Sequence, residues 1–522
     1  MTVTLYRNAR VRSPVDPFAT ALVVDGATVA WVGSEAAAEG MSADSVVDLQ
    51  DAWVAPAFVD AHVHATATGL ALTGLDLTGA PSLAVALDRV ATAVRAARGG
   101  AVLGTGWDDT AWPEGRPPTA AELDRASYGG VVYLARTDVH SAVASSALLA
   151  AVPGVHAAAG NLGDGLVRTD AHHLVRRAAY EAVSPAQRRA AQEATLARAA
   201  SLGIGCVHEC GGPDIGGEAD FLAVLGLDTG VTVVGYWGEL DGIERARELG
   251  AHGAGGDLFA DGALGSHTAC LTTPYADADT CGHPYLTTAQ VSRHVVACTR
   301  AGLQAGFHAI GDAALGVVLD GVQDAADVVG MAAVRAARHR VEHAEHLTER
   351  TIGQLASLGV LASVQPAFDA RWGGPDGMYV TRLGAHRAAA LNPYAALAAA
   401  GVALALGSDA PVTPLDPWGT LRAAVHHRTA GSGLSARAAF AAHTRGGWRA
   451  ARLDEAGDLV PGAPATFAVW DVPGELVVQT PDDRVAGWST DPRAGVAGLP
   501  DLDAPDPTCR LTVVAGRTVH SA

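Results

Sequence analysis

The chain has 522 residues, 49% of them hydrophobic and 17% charged, enough for a large buried core and unlike a disordered segment. A formal net charge of −19 excludes a surface built to neutralise nucleic-acid phosphates, so no nucleic-acid partner is expected. All 36 basic side chains are arginine, so no lysine is present to hold a nucleotide phosphate, form a Schiff base or, when carboxylated, bridge two metals.

The segment from Met1 to Arg7 lacks the basic-then-apolar order of a signal peptide. No run approaches the ~18 apolar residues of a membrane helix, and the six cysteines show neither zinc-ribbon spacing nor the density of a disulfide scaffold. The expectation is a cytoplasmic protein with no membrane partner. Residues 1–53 alternate short β-prone runs with turns, as in Ala21-Leu-Val-Val-Asp25 and Val29-Ala-Trp-Val-Gly33, and Ala465 to Trp470 and Leu511 to Val519 repeat that texture. Residues 1–53 and 460–522 are therefore expected to pair as a small composite β-sandwich domain.

Residues 54–459 alternate apolar strand-like runs with helical stretches, which predicts a (β/α)8 TIM-like barrel. The predicted strands are 56–62, 204–209, 231–236, 257–261, 303–309, 339–344, 360–366 and 402–408. Ser184 followed by Pro185 opens a helix with a cap and a first-turn proline. Residues 70–183 interrupt the repeat after the first strand. An insertion there emerges at the C-terminal face of the barrel and is expected to cover the active site.

Five strand ends carry metal-binding side chains: Asp60-Ala-His62-Val-His64, Asp257-Leu-Phe-Ala-Asp261, Phe307-His308, Glu342-His343 and Ser408-Asp409. Residues two apart on a strand point the same way, so His62 and His64 can hold one ion together. His308, His343 and Asp409 each end an apolar run, where an unpartnered polar group is costly. Singly, each fits an ordinary packing role. In the order His-x-His, His, His, Asp, on four separate strand ends, they point to a divalent metal, zinc first among zinc, manganese, iron and cobalt.

These segments resemble the amidohydrolase superfamily, amidohydrolase family 3, and within it the branch of N-substituted formamide deformylases. The likeness runs from Pro56 to His64 through Gly106-Trp107-Asp108, Arg136 to His140, Phe259 to Ser266, His308 to Asp312, Glu342-His343, Gln365-Pro366 and Ser408 to Pro411. It implies that His62, His64, His308, His343 and Asp409 bind metal and that Asp409 handles the proton. The family usually has a lysine where this chain has Asp257, so the expectation is one ion, with a pair bridged by Asp257 as the alternative. An arginine of the family also stands here as His267.

Asp312 and Glu342 are expected to orient histidine rings, and Trp107, His140 and Asp261 to face the substrate. The implied reaction is hydrolysis of a non-peptide carbon–nitrogen bond of a small molecule, an N-substituted amide, formamide or cyclic amide. A water acidified by the metal attacks, with Asp409 as general base and acid. The alternatives are a deaminase on the same site and a catalytically silent barrel that binds a partner. The resemblance also implies a homodimer.

Overall fold

The computed structural model describes residues 2–97, 99–477 and 497–522. Its centre is an eight-stranded parallel sheet formed, in chain order, by Phe58–Val63, Ile204–Gly211, Thr232–Trp237, Gly253–Ala254, Gln304–Ala309, Arg340–His343, Leu361–Val364 and Leu404–Leu406. The sheet closes where Asp409 N donates to His62 O at 2.8 Å and His64 N to Ala410 O at 3.0 Å. Helices alternate with the strands, which makes this a (β/α)8 barrel.

The fourth strand departs from the sequence reading. It lies at Gly253–Ala254 rather than 257–261, because Gly255 passes so close to the fifth strand that a Cβ there would stand 2.1 Å from Gly306 N. Asp257 to Asp261 instead runs past the strand end beside His308, whose N donates to Leu258 O at 3.0 Å. That extra length carries Asp257 over the barrel mouth.

The surrounding helices form for readable reasons. In Asp312–Val329, Leu315, Val318, Leu319, Val322 and Ala326 recur at helical spacing, are buried, and join one core with Val291, Val295 and Cys298 of Thr288–Ala301. Each such valine or leucine contributes about 1.5–3 kcal/mol when fully buried. Pro185–Ser201 starts at a capping box made by Ser184 and Gln187.

The two chain ends share one seven-stranded sheet, in the order Arg517–Ser521, Thr508–Val514, Phe467–Asp471, Ser45–Pro56, Val3–Val11, Ala21–Asp25 and Thr28–Gly33. Aromatic contacts join it to the barrel: Trp418 meets Phe58 edge-on at 5.3 Å and Trp470 at 5.3 Å.

The segment after the first barrel strand builds its own five-stranded sheet from Leu75–Asp76, Val102–Trp107, Val132–Arg136, Ser141–Ala144 and Leu166–Arg168. Arg136 anchors its inner edge through Asp108, Asp109 and Asp138 at 2.8–3.1 Å. Asp138 in turn accepts a hydrogen bond from Ser266 Oγ at 2.7 Å, tying the insertion to the loop after the fourth strand. Among the described residues no helix is long and apolar enough to cross a membrane.

Candidate metal centre

Four histidines reach the barrel mouth, and each is pinned through one ring nitrogen. His62 Nδ1 donates to Glu342 Oε2 at 2.9 Å, His64 Nδ1 to the Cys210 carbonyl at 3.0 Å, His308 Nε2 to the Gly262 carbonyl at 3.1 Å and His343 Nδ1 to Gln365 Oε1 at 2.8 Å. With those nitrogens protonated, the other nitrogen of each ring keeps a lone pair.

The lone pairs converge on two carboxylates. Asp257 Oδ1 lies 3.4 Å from His62 Nε2, 3.4 Å from His308 Nδ1 and 3.7 Å from His343 Nε2, while its Oδ2 lies 3.1 Å from His64 Nε2. Asp409 Oδ1 stands 3.5 Å from His62 Nε2 and 3.2 Å from His64 Nε2. His62 Nε2, His308 Nδ1, His343 Nε2, Asp257 Oδ1 and Asp409 Oδ1 are all buried without a hydrogen-bond partner. A buried polar atom left unpaired costs about 1–3 kcal/mol, so five of them at one barrel mouth, in groups that share His62, fit a site for a cation. The charges agree: burial disfavours a charged His64, yet Asp257 and Asp409 raise its pKa to about 9, drawing a proton where a cation would sit.

The backbone is shaped to aim these groups. His343 and Asp409 hold left-handed conformations, with φ of 71° and 53°, a cost of about 1–2 kcal/mol per residue that the surroundings must sustain. Asp60 helps to do so. Its buried carboxyl accepts from Ser408 N at 2.8 Å and His62 N at 3.3 Å, and burial pushes its pKa up to about 6. Gly407 is required at this seam, since a Cβ would come 2.7 Å from His62 N.

Beneath the histidines lies a charged layer. The fully buried Arg340 guanidinium bonds Glu342 Oε2 at 2.9 Å, Ser363 Oγ at 2.9 Å, the Ala61 carbonyl at 2.7 Å and His208 Nδ1 at 3.1 Å, over the Tyr236 ring. Burial alone would raise the Glu342 pKa, but Arg340 and His62 hold it at about 2. The carboxylate that receives the His62 proton is therefore ionised.

Two small cavities flank the cluster. One, of about 50 Å³, is lined by His64, Asp257, Tyr133, Arg176 and Glu209, and the other, of about 20 Å³, by Leu264, Ile310, Phe368, Trp372 and His343; His140, His308 and Asp409 border both. A larger cavity of about 620 Å³ lies at the other end of the barrel, among Pro56, Leu404 and Phe440, away from these ligands.

His62, His64, His308, His343, Asp409 and Asp257 thus gather at the barrel mouth, where His62, His64 and Asp409 form one close group, His62, Asp257 and His343 another, and Glu342 stands behind His62. His140 borders the cavities with its ring 5.0 Å from that of His308, and burial drives its pKa well below the ordinary value. Three residues stand elsewhere. Trp107 is buried in the core of the insertion and donates Nε1–H to the Leu134 carbonyl at 2.8 Å, so it packs rather than faces substrate. Asp261 is wholly buried and accepts from Cys270 N, Ile310 N and Gly311 N at 2.8–3.0 Å, which makes it a loop anchor. Asp312 accepts from Thr272 N at 2.9 Å and orients none of the four histidines.

Sequence reasoning passed over Asp60, Arg340, Arg176 and Cys210, whose sulfur lies with His62 and Glu342 in a second group of metal-binding type. For Arg340 and Cys210 a signal existed: on fully buried strands Arg340 lies two residues before Glu342 and Cys210 two residues after His208, so each shares a face with another polar side chain.

The chain is 28% identical over 505 residues to Protein LONG AFTER FAR-RED 3 of Arabidopsis thaliana, covering 87% of this chain and 85% of that one. An uncharacterized metal-dependent hydrolase from Pyrococcus furiosus superposes with a TM-score of 0.70 at 25% identity, over 90% of this chain and 98% of the other. Its counterpart from Pyrococcus horikoshii OT3 gives 0.72 at 24% identity over the same shares. A sequence model of the amidohydrolase family matches residues 45–520. Since that span takes in every strand of the barrel and every histidine and aspartate gathered at its mouth, the chain belongs to the amidohydrolase family, enzymes that hydrolyse carbon–nitrogen bonds with a bound metal.

Proposed function

We propose that this enzyme hydrolyses an N-substituted amide of a small molecule, formamides included, and that Asp409 is its general base and acid. The observation that carries the reading is the set of five buried, unpartnered donor atoms at the barrel mouth beside two cavities.

The residues fit one ion of the zinc type. His62, His64 and Asp409 would hold it, each offering one atom close to the other two, and His62, Asp257 and His343 form a second such group that shares His62. His308 and His343 complete the wall on the far side of Asp257. When bound, such an ion acidifies a water and polarises a carbonyl.

The chain's own residues supply the rest. Asp409 Oδ1 faces His62 and His64, which leaves Oδ2 to take a proton from the attacking water and return it to the departing nitrogen as the carbon–nitrogen bond breaks. Glu342 and Gln365 hold their histidines in the ligating tautomer. His140, neutral in its buried setting, lies within reach of a substrate carbonyl. The small cavities keep bulk water out.

The Asp409→Asn variant tests the assignment. It is expected to fold normally by circular dichroism and to lose about 10³- to 10⁴-fold in kcat on N-acyl and N-formyl amines. Near-normal turnover overturns the role. Elemental analysis of the wild-type protein is expected to find about one transition-metal ion per chain; two would replace the single-ion site with a bridged pair. Products read as amine plus carboxylate, rather than ammonia, separate amide hydrolysis from deamination.

A further inference from the structure

The helix Thr169–Glu181 of the insertion sends Arg176 into the cavity that also holds His64, Asp257, His308 and Asp409. Four other deep arginines have a carboxylate beside them: Arg136 has Asp138, Arg188 has Asp220, Arg340 has Glu342 and Arg382 has Asp277, whereas Arg12 and Arg168 share with Arg176 the lack of one but lie outside this cavity. Among the described residues Arg176 forms no ion pair. Its contacts are His173 Nδ1 at 3.3 Å and the Phe259 ring at 5.9 Å, and its buried Nε has no partner.

The acids of this cavity are committed elsewhere. Glu209 Oε2 accepts from Ala65 N at 2.8 Å, and Asp220 is held by Thr66 Oγ1 at 2.7 Å and by Arg188 at 3.2 Å. A half-buried guanidinium with a free donor is an unfinished contact, and a planar carboxylate matches its fork. The neighbours register its charge: burial is the main influence on Tyr133, Tyr180 and His140, and Arg176 acts on all three toward the less protonated form. The opposite cavity carries no arginine: beyond the cluster its polar lining is Asp138, Glu345, His140 and Tyr379, and its apolar walls include Phe368 and Trp372.

We infer that Arg176 is an anion-binding subsite and that the substrate is a small amide with a carboxylate on one arm and a short apolar group on the other. Phe259 spans the interval between Arg176 and the cluster, its ring 5.0 Å from that of His308. A carboxylate on Arg176 would set the scissile carbon near Asp409 while the apolar arm meets Phe368 and Trp372. This inference rests on the amide-hydrolase reading and refines it.

Two measurements separate the subsite from that reading. In calorimetric titration of the zinc-loaded protein, hexanoate is expected to bind about 10- to 100-fold tighter to wild type than to Arg176→Gln, the range of one charge-assisted contact. Arg176→Lys should fall between, and the neutral probe hexanamide should bind wild type and Arg176→Gln alike. Equal hexanoate affinity in all three proteins overturns the subsite. In the kinetic arm, wild type is expected to prefer N-butyrylglycine over N-butyrylglycinamide by a similar factor in kcat/KM, and Arg176→Gln to lose that preference. Cleavage of neither compound, with hexanoate still discriminating, would leave the subsite standing and overturn amide hydrolysis instead.

Discussion

In the composite sheet Val54, Phe467, Val469 and Val513 are wholly buried among apolar neighbours, whereas at the barrel mouth the equally buried His62, His308, Arg340 and Glu342 are polar or charged. The first kind of burial stabilises the fold through area removed from water. The second costs free energy unless every group is paired. A single strand, Phe58–Val63, joins both regimes: Phe58 packs on Trp418 and Trp470 at one end, and His62 meets Asp257 at the other. The difference teaches that the aromatic junction holds the barrel together while the mouth is held against its own tendency to relax.

Removing one member of the charged layer gives the largest expected effect. Arg340→Met strands Glu342 in the interior and should cost about 3–5 kcal/mol in chemical denaturation. Arg340→Met combined with Glu342→Leu should recover much of that stability while metal affinity falls about 10- to 100-fold, because His62 loses the acceptor that fixes its ring. If the double variant instead binds metal like wild type, the layer is structural only and the contrast between the two regions weakens.

Acid should separate the regions more gently. Burial holds His443 at a pKa of about 4 and His339, with the help of His294, at about 3, both far below the usual imidazole range. Below pH ~6.5 the unfolded chain takes up these protons and the folded one does not. Stability from these groups is therefore full above pH ~6.5 and is lost as pH falls toward 4, by about 1.4 kcal/mol per pH unit per group. The urea-midpoint difference between wild type and His443→Gln, measured between pH 7 and pH 4.5, checks this; a difference that does not change with pH would contradict it.

The smallest effect is expected at Asp312. Asp312→Ala removes hydrogen bonds to Thr272 and should cost about 1 kcal/mol of stability, with turnover and metal content unchanged. A large loss of activity would return Asp312 to the histidines from which the structure separates it.

Much of the barrel was legible because its strands are continuous apolar runs ending in histidine or aspartate, as at Phe307-His308 and Leu406 to Asp409. The fourth strand was not, since Gly253-Ala254-Gly255-Gly256 offers a single methyl group to signal a strand, while Asp257-Leu-Phe-Ala-Asp261 alternates like one. Asp261 and Trp107 sit in motif positions, but packing took them: Asp261 ties three backbone amides, and Trp107 fills the insertion core. That these histidines and aspartates meet at the barrel mouth could be read from strand ends alone. The Arg340 layer could not, because it joins strands far apart in sequence, and Arg176 looks like one more solvated arginine on an amphipathic helix until its missing partner is seen.

The shared sheet of the two chain ends bears on how the protein is made. Ser45–Pro56 pairs with Val3–Val11 on one side, but its other edge waits for Phe467–Asp471, about four hundred residues later. At ribosomal speeds of ~5–20 residues per second that edge stays bare for roughly 20 to 80 s. A nascent chain with an open apolar edge is prone to stray pairing, so the first fifty residues are where synthesis is most in need of a chaperone's cover.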